Sequence, residues 1–197
     1  TAPLDNATGQ SVIHLYRVTG IQLHTSNPLR QTIRGAVRIL DEEGMSQFNT
    51  MKFPVQPQSQ RLCIHQLRVI DAEGNLVADA SLTDHYSLDS AAAGMASGSK
   101  VIHVPVPGLK PGCTIEYGYT IESTGSTGTI EYTRHLFALP EPCRLDSWFI
   151  TGDTAKMTFA SSRNLQPLRD GDSLVWMETK PALLSISLLS SRSEEHT

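Results

Sequence analysis

The chain has 197 residues, with sixteen Lys and Arg against twenty Asp and Glu for a net charge of −4. It therefore lacks the clustered basic excess with which a nucleic-acid domain displaces phosphate counterions. A chain of this length buries roughly 70% of the surface its unfolded form exposes, so one domain can hold itself together without a metal or disulfide staple.

No apolar run approaches the roughly 18 residues of a membrane span, and no charged-then-apolar leader opens the chain. The start Thr1-Ala2-Pro3, without Met, is expected of a processed form or a fragment. From Val12 to about His24 the chain is β-rich, and Ile33, Gly35, Val37 and Ile39 then alternate with the outward Arg34 and Arg38, the period of two that a half-buried strand shows. Asp41-Glu42-Glu43-Gly44 reads as a turn. A strand from Arg61 to Ile70 meets one starting at Leu76 through the hairpin loop Asp71-Ala72-Glu73-Gly74-Asn75, where Gly or Asn supplies positive φ. Ser90 to Ser99 holds small residues with no β-branched member, and a loop is expected there in preference to a short helix. Ile102, Val104 and Val106 face one way and His103 and Pro105 the other; Pro105 and Pro107 lack ladder donors, which predicts an edge strand.

Leu109-Lys110-Pro111-Gly112 places Pro and Gly where a type II turn wants them. The clearest strand follows, with Cys113, Ile115, Tyr117, Tyr119 and Ile121 on one side and Thr114, Glu116, Gly118, Thr120 and Glu122 on the other. Ser123 to Gly128 then reads as a connection to a strand over Thr129 to Ala138, the two pairing as a hairpin. Further strands are predicted at Ser147 to Ile150, Lys156 to Phe159 and, after the Asp170-Gly171 turn, Ser173 to Glu178. The apolar stretch Pro181 to Leu189 is a strand or short helix whose burial calls for a further domain. Residues 192–197 resemble a run found in translated sequencing adapters and are set aside, so the natural protein is expected to be longer. The expected class is all-β, an antiparallel β-sandwich of roughly ten strands with little helix. Its expected divisions are an N-terminal extension (1–11), the sandwich (12–180), the start of a linker or next-domain strand (181–191) and a non-native tail (192–197).

Each chemical motif meets a plainer structural account. Three cysteines (Cys63, Cys113, Cys143) make an odd number without CxxC spacing, so no disulfide framework or zinc ribbon is written. Cys63 and His65, two apart on one strand, point the same way; lacking a helix and a third group, they are expected to be a core Cys beside a surface or hydrogen-bonded His. Cys143 and His135 would meet only across a bend, and a structural role is expected for both. The seven histidines (14, 24, 65, 85, 103, 135, 196) form no HxH or HExxH pair. Asp71, Glu73 and Asn75 mimic the start of a calcium loop, but Leu82 stands where such a loop needs a bidentate Glu. Trp148 and Trp176 suit a sugar-stacking platform or, as expected here, the core. No GxSxG elbow and no phosphate-cradling glycine motif occurs. No catalytic, cofactor-binding or metal-ligating residue is assigned.

A first strand pair is followed by Arg38-Ile39-Leu40-Asp41-Glu42-Glu43-Gly44, Phe53-Pro54-Val55, Leu62-Cys63-Ile64-His65, Asp71 to Asn75, Val101 to Val106, and Phe137-Ala138-Leu139-Pro140, and the likeness this order carries spans residues 12–180. Its most telling piece is Pro107-Gly108-Leu109-Lys110-Pro111-Gly112-Cys113-Thr114-Ile115-Glu116-Tyr117, a Pro-Gly turn launching a strand. This is similar to the domain of unknown function that precedes transglutaminase-like, papain-superfamily domains in bacterial, usually exported, proteins. The resemblance implies an antiparallel β-sandwich without an assigned activity, any catalysis residing in a downstream Cys-His-Asp domain whose motif is missing here. It also implies a periplasmic or extracellular location and that downstream domain as partner. The expected function is a non-catalytic module for interdomain packing or substrate positioning. The alternative is a sandwich of the cell envelope that adheres or binds a glycan, peptide or other cell-wall ligand.

Overall fold

A computed structural model describes residues 9–24, 28–80, 86–89, 100–127, 135, 137, 139, 141–155, 157–160 and 164–179, with 86–89 and 124–127 described by backbone alone. Among these the chain is mostly strand with one short helix. In chain order the elements are β1 (Val12–Leu23), β2 (Pro28–Ile39), α1 (Glu42–Phe48), β3 (Thr50–Val55), β4 (Gln60–Ile70), β5 (Leu76–Asp79), β6 (Tyr86–Asp89), β7 (Lys100–Pro105), β8 (Thr114–Thr127), β9 (Leu145–Gly152), β10 (Leu168–Asp170) and β11 (Ser173–Thr179). Eight strands form one sheet in the order β10-β11-β9-β1-β2-β8-β4-β5, and three form another in the order β3-β7-β6.

The large sheet is mixed, which corrects the expectation of antiparallel pairing throughout. β1 runs parallel to β9, Arg17 to Leu23 against Asp146 to Gly152, while its other neighbour β2 is antiparallel. A parallel pair needs a connection of a dozen or more residues, and residues 24–144, which include β2 to β8, separate β1 from β9. The edge assignment of the Ile102 strand is also corrected, since β7 is the middle strand of its sheet. Pro105 is its last residue and Pro107 lies beyond it, so neither interrupts the ladder. The edge strand β3 carries its own proline, Pro54.

The alternation read along β2 and β8 holds because one face of this sheet is dry. Val37, Ile39 and Ile115 point inward with Ile64, Leu67 and Val69 of β4, and share a core cluster with Phe53 and Val104 of the small sheet. Burying each such side chain contributes about 1.5–3 kcal/mol. A second cluster gathers Ile21 and Leu23 of β1, Ile150 of β9, and Leu174 and Trp176 of β11. The outward residues form a wet ladder: Arg30 meets Glu122 at 3.4 Å, Thr32 meets Thr120 at 2.8 Å, and Gln66 donates to Glu116 at 2.9 Å. Such cross-strand polar pairs are what a solvated sheet face uses.

Turn chemistry is largely as written. At Lys110 to Cys113 the Cys113 N–H donates to the Lys110 carbonyl at 3.1 Å, and Gly112 has φ of 89°, the type II arrangement. Asp71 to Asn75 is the β4–β5 hairpin tip, where the Asp71 carboxylate accepts from the backbone of Glu73 and Asn75 and from the Asn75 side chain. Asp41 to Gly44, by contrast, is the entry to α1. The Asp41 carboxylate caps the helix by accepting from the Gly44 N–H at 2.9 Å, and Glu42 and Glu43 occupy the first turn. Replacing Asp41 by Ala should lower stability by about 1 kcal/mol, read from chemical denaturation; an unchanged midpoint would show that the cap contributes nothing.

Two other expectations change. Ser123 to Thr127 continues β8 as strand, because β4 and β2 extend far enough to pair with it at Gln60↔Ser123 and Pro28↔Thr127. Residues 157–160 are not strand: the Met157 N–H donates to the Thr154 carbonyl and turns the chain. Residues 1–8, 90–99 and 180–197, with most of the strand expected at Thr129 to Ala138, lie outside the described residues.

Candidate functional site

Ionisable groups converge where β9 enters the sheet beside β1. Asp146, Trp148 and Ile150 alternate on the inward face of β9, and the parallel register sets Arg17 of β1 directly beside Asp146. The Asp146 side chain is 0% exposed. Its carboxylate accepts from Arg17 through both Nε, at 3.0 Å, and Nη2, and from His135 Nε2 at 3.3 Å to each oxygen. Burial alone would raise the Asp146 pKa; hydrogen bonds from His135 and Arg17, with the charges of both, turn the net shift downward. The carboxylate thus stays ionised inside the fold.

The His135 ring is stacked on Trp148, with centroids 5.5 Å apart and planes at 9°, and is edge-on to Phe137. Trp148 in turn pairs across the strands with Trp176, 4.8 Å away, and Phe159 stands edge-on against Trp176. Trp176 is only 5% exposed. His135 and Trp176 flank the half-buried Trp148, so the two tryptophans pack on each other and on neighbouring rings.

Cys143 reaches the same region. It bridges in parallel to His14, whose imidazole Nε2 lies 3.6 Å from Glu141. His14 Nδ1 has no hydrogen-bond partner among the described residues, and burial above all lowers the His14 pKa. The Cys143 thiol donates to the Leu145 carbonyl at 3.2 Å. Burial, with a smaller contribution from the Asp146 charge, pushes that thiol up, against formation of the thiolate. Tyr117 and Tyr119, on the same inward face, are pushed up mainly by burial. The bend therefore brings Cys143 and His135 toward one carboxylate, as nucleophilic catalysis would need. The groups are buried, however, and directed at one another or at backbone. What the arrangement does chemically is neutralise and orient: one guanidinium and one imidazole N–H hold one acid and tie residues 135 and 146 to β1.

The remaining candidates are dispersed. Cys63 is exposed on the outward face of β4, not in the core; its Sγ lies 3.9 Å from His65 Nδ1, and His65 Nε2 lies 2.8 Å from Thr120 Oγ1. His24 contacts Gln22 at 3.2 Å and lines a shallow pocket with Pro28 and Arg30. His103 sits on β7 opposite Lys52 and Tyr86. His85, His196 and Leu82 lie outside the described residues. Among the described residues no three His, Cys, Asp or Glu side chains are grouped to hold a metal. Sequence reasoning missed Arg17 and Asp146. The acid could have been noticed as the one charged residue alternating with Trp148 and Ile150, whereas nothing local marks Arg17.

In fold the chain is similar to a candidate protease from Parabacteroides distasonis, with a TM-score of 0.71 and 16% identity over 94% of this chain and 38% of that one. Looser likenesses are an M1 zinc metallopeptidase from Deinococcus radiodurans (TM-score 0.37, 10% identity, 86% of this chain and 39% of that one) and yeast LTA4 hydrolase with bestatin (0.42, 7%, 92% and 29%). The chain spans well under half the length of each. No curated protein matches it. The family described as a domain of unknown function with solved structure, DUF3857, matches residues 26–152, more than half of the chain, and the chain belongs to that family.

Proposed function

We propose that the chain is a non-catalytic module of a longer, exported bacterial protein, placed before a transglutaminase-like or cysteine-peptidase-like domain that it packs against or supplies with oriented substrate. In this reading the two sheets are the layers of a β-sandwich. The observation that carries it is the buried cluster: the Asp146 carboxylate, the His135 imidazole and the Cys143 thiol are taken up in contacts with one another, with Arg17 and with backbone, so the fold spends these ionisable groups on rigidity. Membership of DUF3857 and a likeness covering 38% of a longer chain support it.

The test is an assay of the purified chain for amide hydrolysis and transamidation beside the Cys63→Ala, Cys113→Ala, Cys143→Ala triple variant. Equal background rates are expected, and a reproducible thiol-dependent turnover would overturn the proposal.

A further inference from the structure

We propose that Cys63 is a reactive thiol and a site of thiol–disulfide exchange on the outward face of the large sheet, with His65 as its base and Thr120 holding the imidazole in place. The modification is stoichiometric and goes beyond the module reading, which concerns turnover.

The geometry comes from an irregularity in β4. Its pairing with β8 shifts between Ile64 and Gln66, so His65 is the extra residue of a bulge, while Cys63 stands directly opposite Thr120. Bulges re-aim side chains and recur beside active sites. Here the bulged imidazole spans its own strand and the next: Nδ1 lies 3.9 Å from Cys63 Sγ and Nε2 lies 2.8 Å from Thr120 Oγ1. Thr120 Oγ1 is also 2.8 Å from Thr32 Oγ1 on β2. One assignment of protons satisfies the whole row. Thr120 donates to Thr32, His65 Nε2–H donates to Thr120, and Nδ1 is left as the acceptor that faces the thiol. That is the nucleophile, base and orienting group of covalent catalysis in miniature.

Arg61 precedes Cys63 by two residues on the same face, the nearby Glu122 is engaged by Arg30, and Glu116 is engaged by Gln66. Cys113 and Cys143 are buried, so Cys63 is the thiol that solvent reaches.

The step balances with a low-molecular-weight disulfide as co-reactant. The Cys63 S–H proton passes to His65 Nδ1, and Sγ attacks one sulfur of the disulfide. That S–S bond breaks as the Cys63 Sγ–S bond forms, and the departing thiolate takes the proton back from the imidazolium.

The experiment reacts the folded chain with 5,5′-dithiobis(2-nitrobenzoate) and, separately, with glutathione disulfide. Each rate is normalised to the same variant unfolded in denaturant. One fast equivalent is expected, absent in Cys63→Ser, and the glutathione adduct should map to the peptide carrying Cys63. His65→Gln, which retains a donor toward Thr120 but no base, should slow the fast phase roughly tenfold or more. Thr120→Val should slow it as well and Thr120→Ser should restore it, a rescue that a merely structural threonine would not show. A His65→Gln rate equal to the parent, or a fast equivalent that survives in Cys63→Ser, would overturn the proposal. Neither outcome touches the module reading, which fails only on catalytic turnover.

Discussion

Replacing Arg17 by Met is expected to lower folding stability by about 3–5 kcal/mol, the loss typical when one partner of a buried ion pair is removed and the other is left behind. The size follows from where Asp146 sits. Its side chain is 0% exposed and its two oxygens are held by Arg17 and His135. Met fills much of the space of the arginine stem but offers no donor, so a buried carboxylate keeps only an imidazole against it. For a chain of this size the melting temperature should fall by roughly 10 °C. Adding Asp146→Asn to Arg17→Met removes the stranded charge and should recover part of the loss, because neutral buried groups are less penalised than ionised ones. A single variant within about 1 kcal/mol of the parent would show that the pair is solvated and that the cluster is not the clasp described above.

The same cluster sets the sign of the acid response. His14 has a folded pKa below its ordinary value of 6.5, so the unfolded chain binds its proton more readily and stability falls as pH drops through that value. Asp146 has a folded pKa below its ordinary 3.8; its contribution is complete above that value and is lost as pH falls through and beneath it. Stability should therefore decline in two acid windows, and Arg17→Met should shrink the lower one.

How much of this was legible depends on how local each cause is. β2 and β8 announce themselves because each buries one face and wets the other, so Val37 and Ile115 alternate visibly with Arg38 and Glu116. β1 does not. Its pairing with β2 shifts between His14 and Tyr16, and the shift moves Arg17 to the inward face, where a strict count of two from Val12 would turn it outward. The bulge at His65 likewise sends Cys63 outward while Ile64 and Leu67 face the core. Arg17 and Asp146 stand 129 positions apart and meet only because β9 lies parallel to β1, a pairing set by the crossover and by no residue near either of them. Helix α1 is seven residues long, too short for a helical period to emerge, so its Asp-Glu-Glu start resembles a turn.

The parallel junction makes a second large effect accessible at Gly152. This residue closes β9 opposite Leu23, the last residue of β1, and has φ of 99°, a conformation that side chains rarely adopt. A Cβ added there would lie 1.8 Å from the Leu23 carbonyl oxygen. That oxygen is not free to retreat, since it accepts from the Asp153 N–H at 3.1 Å. Gly152→Ala must then move backbone on two core strands at once, beside Ile150 and the second hydrophobic cluster. Its expected cost is about 3 kcal/mol or more. Gly171 provides the comparison: its φ is 54° and nothing lies within 4 Å of an added Cβ, so Gly171→Ala bears only the backbone penalty, about 1 kcal/mol. Denaturant melts of the two variants measure the difference, which isolates the collision with Leu23. If Gly171→Ala proves the more damaging of the two, β1 and β9 do not meet in the register described, and the placement of Arg17 beside Asp146 falls with it.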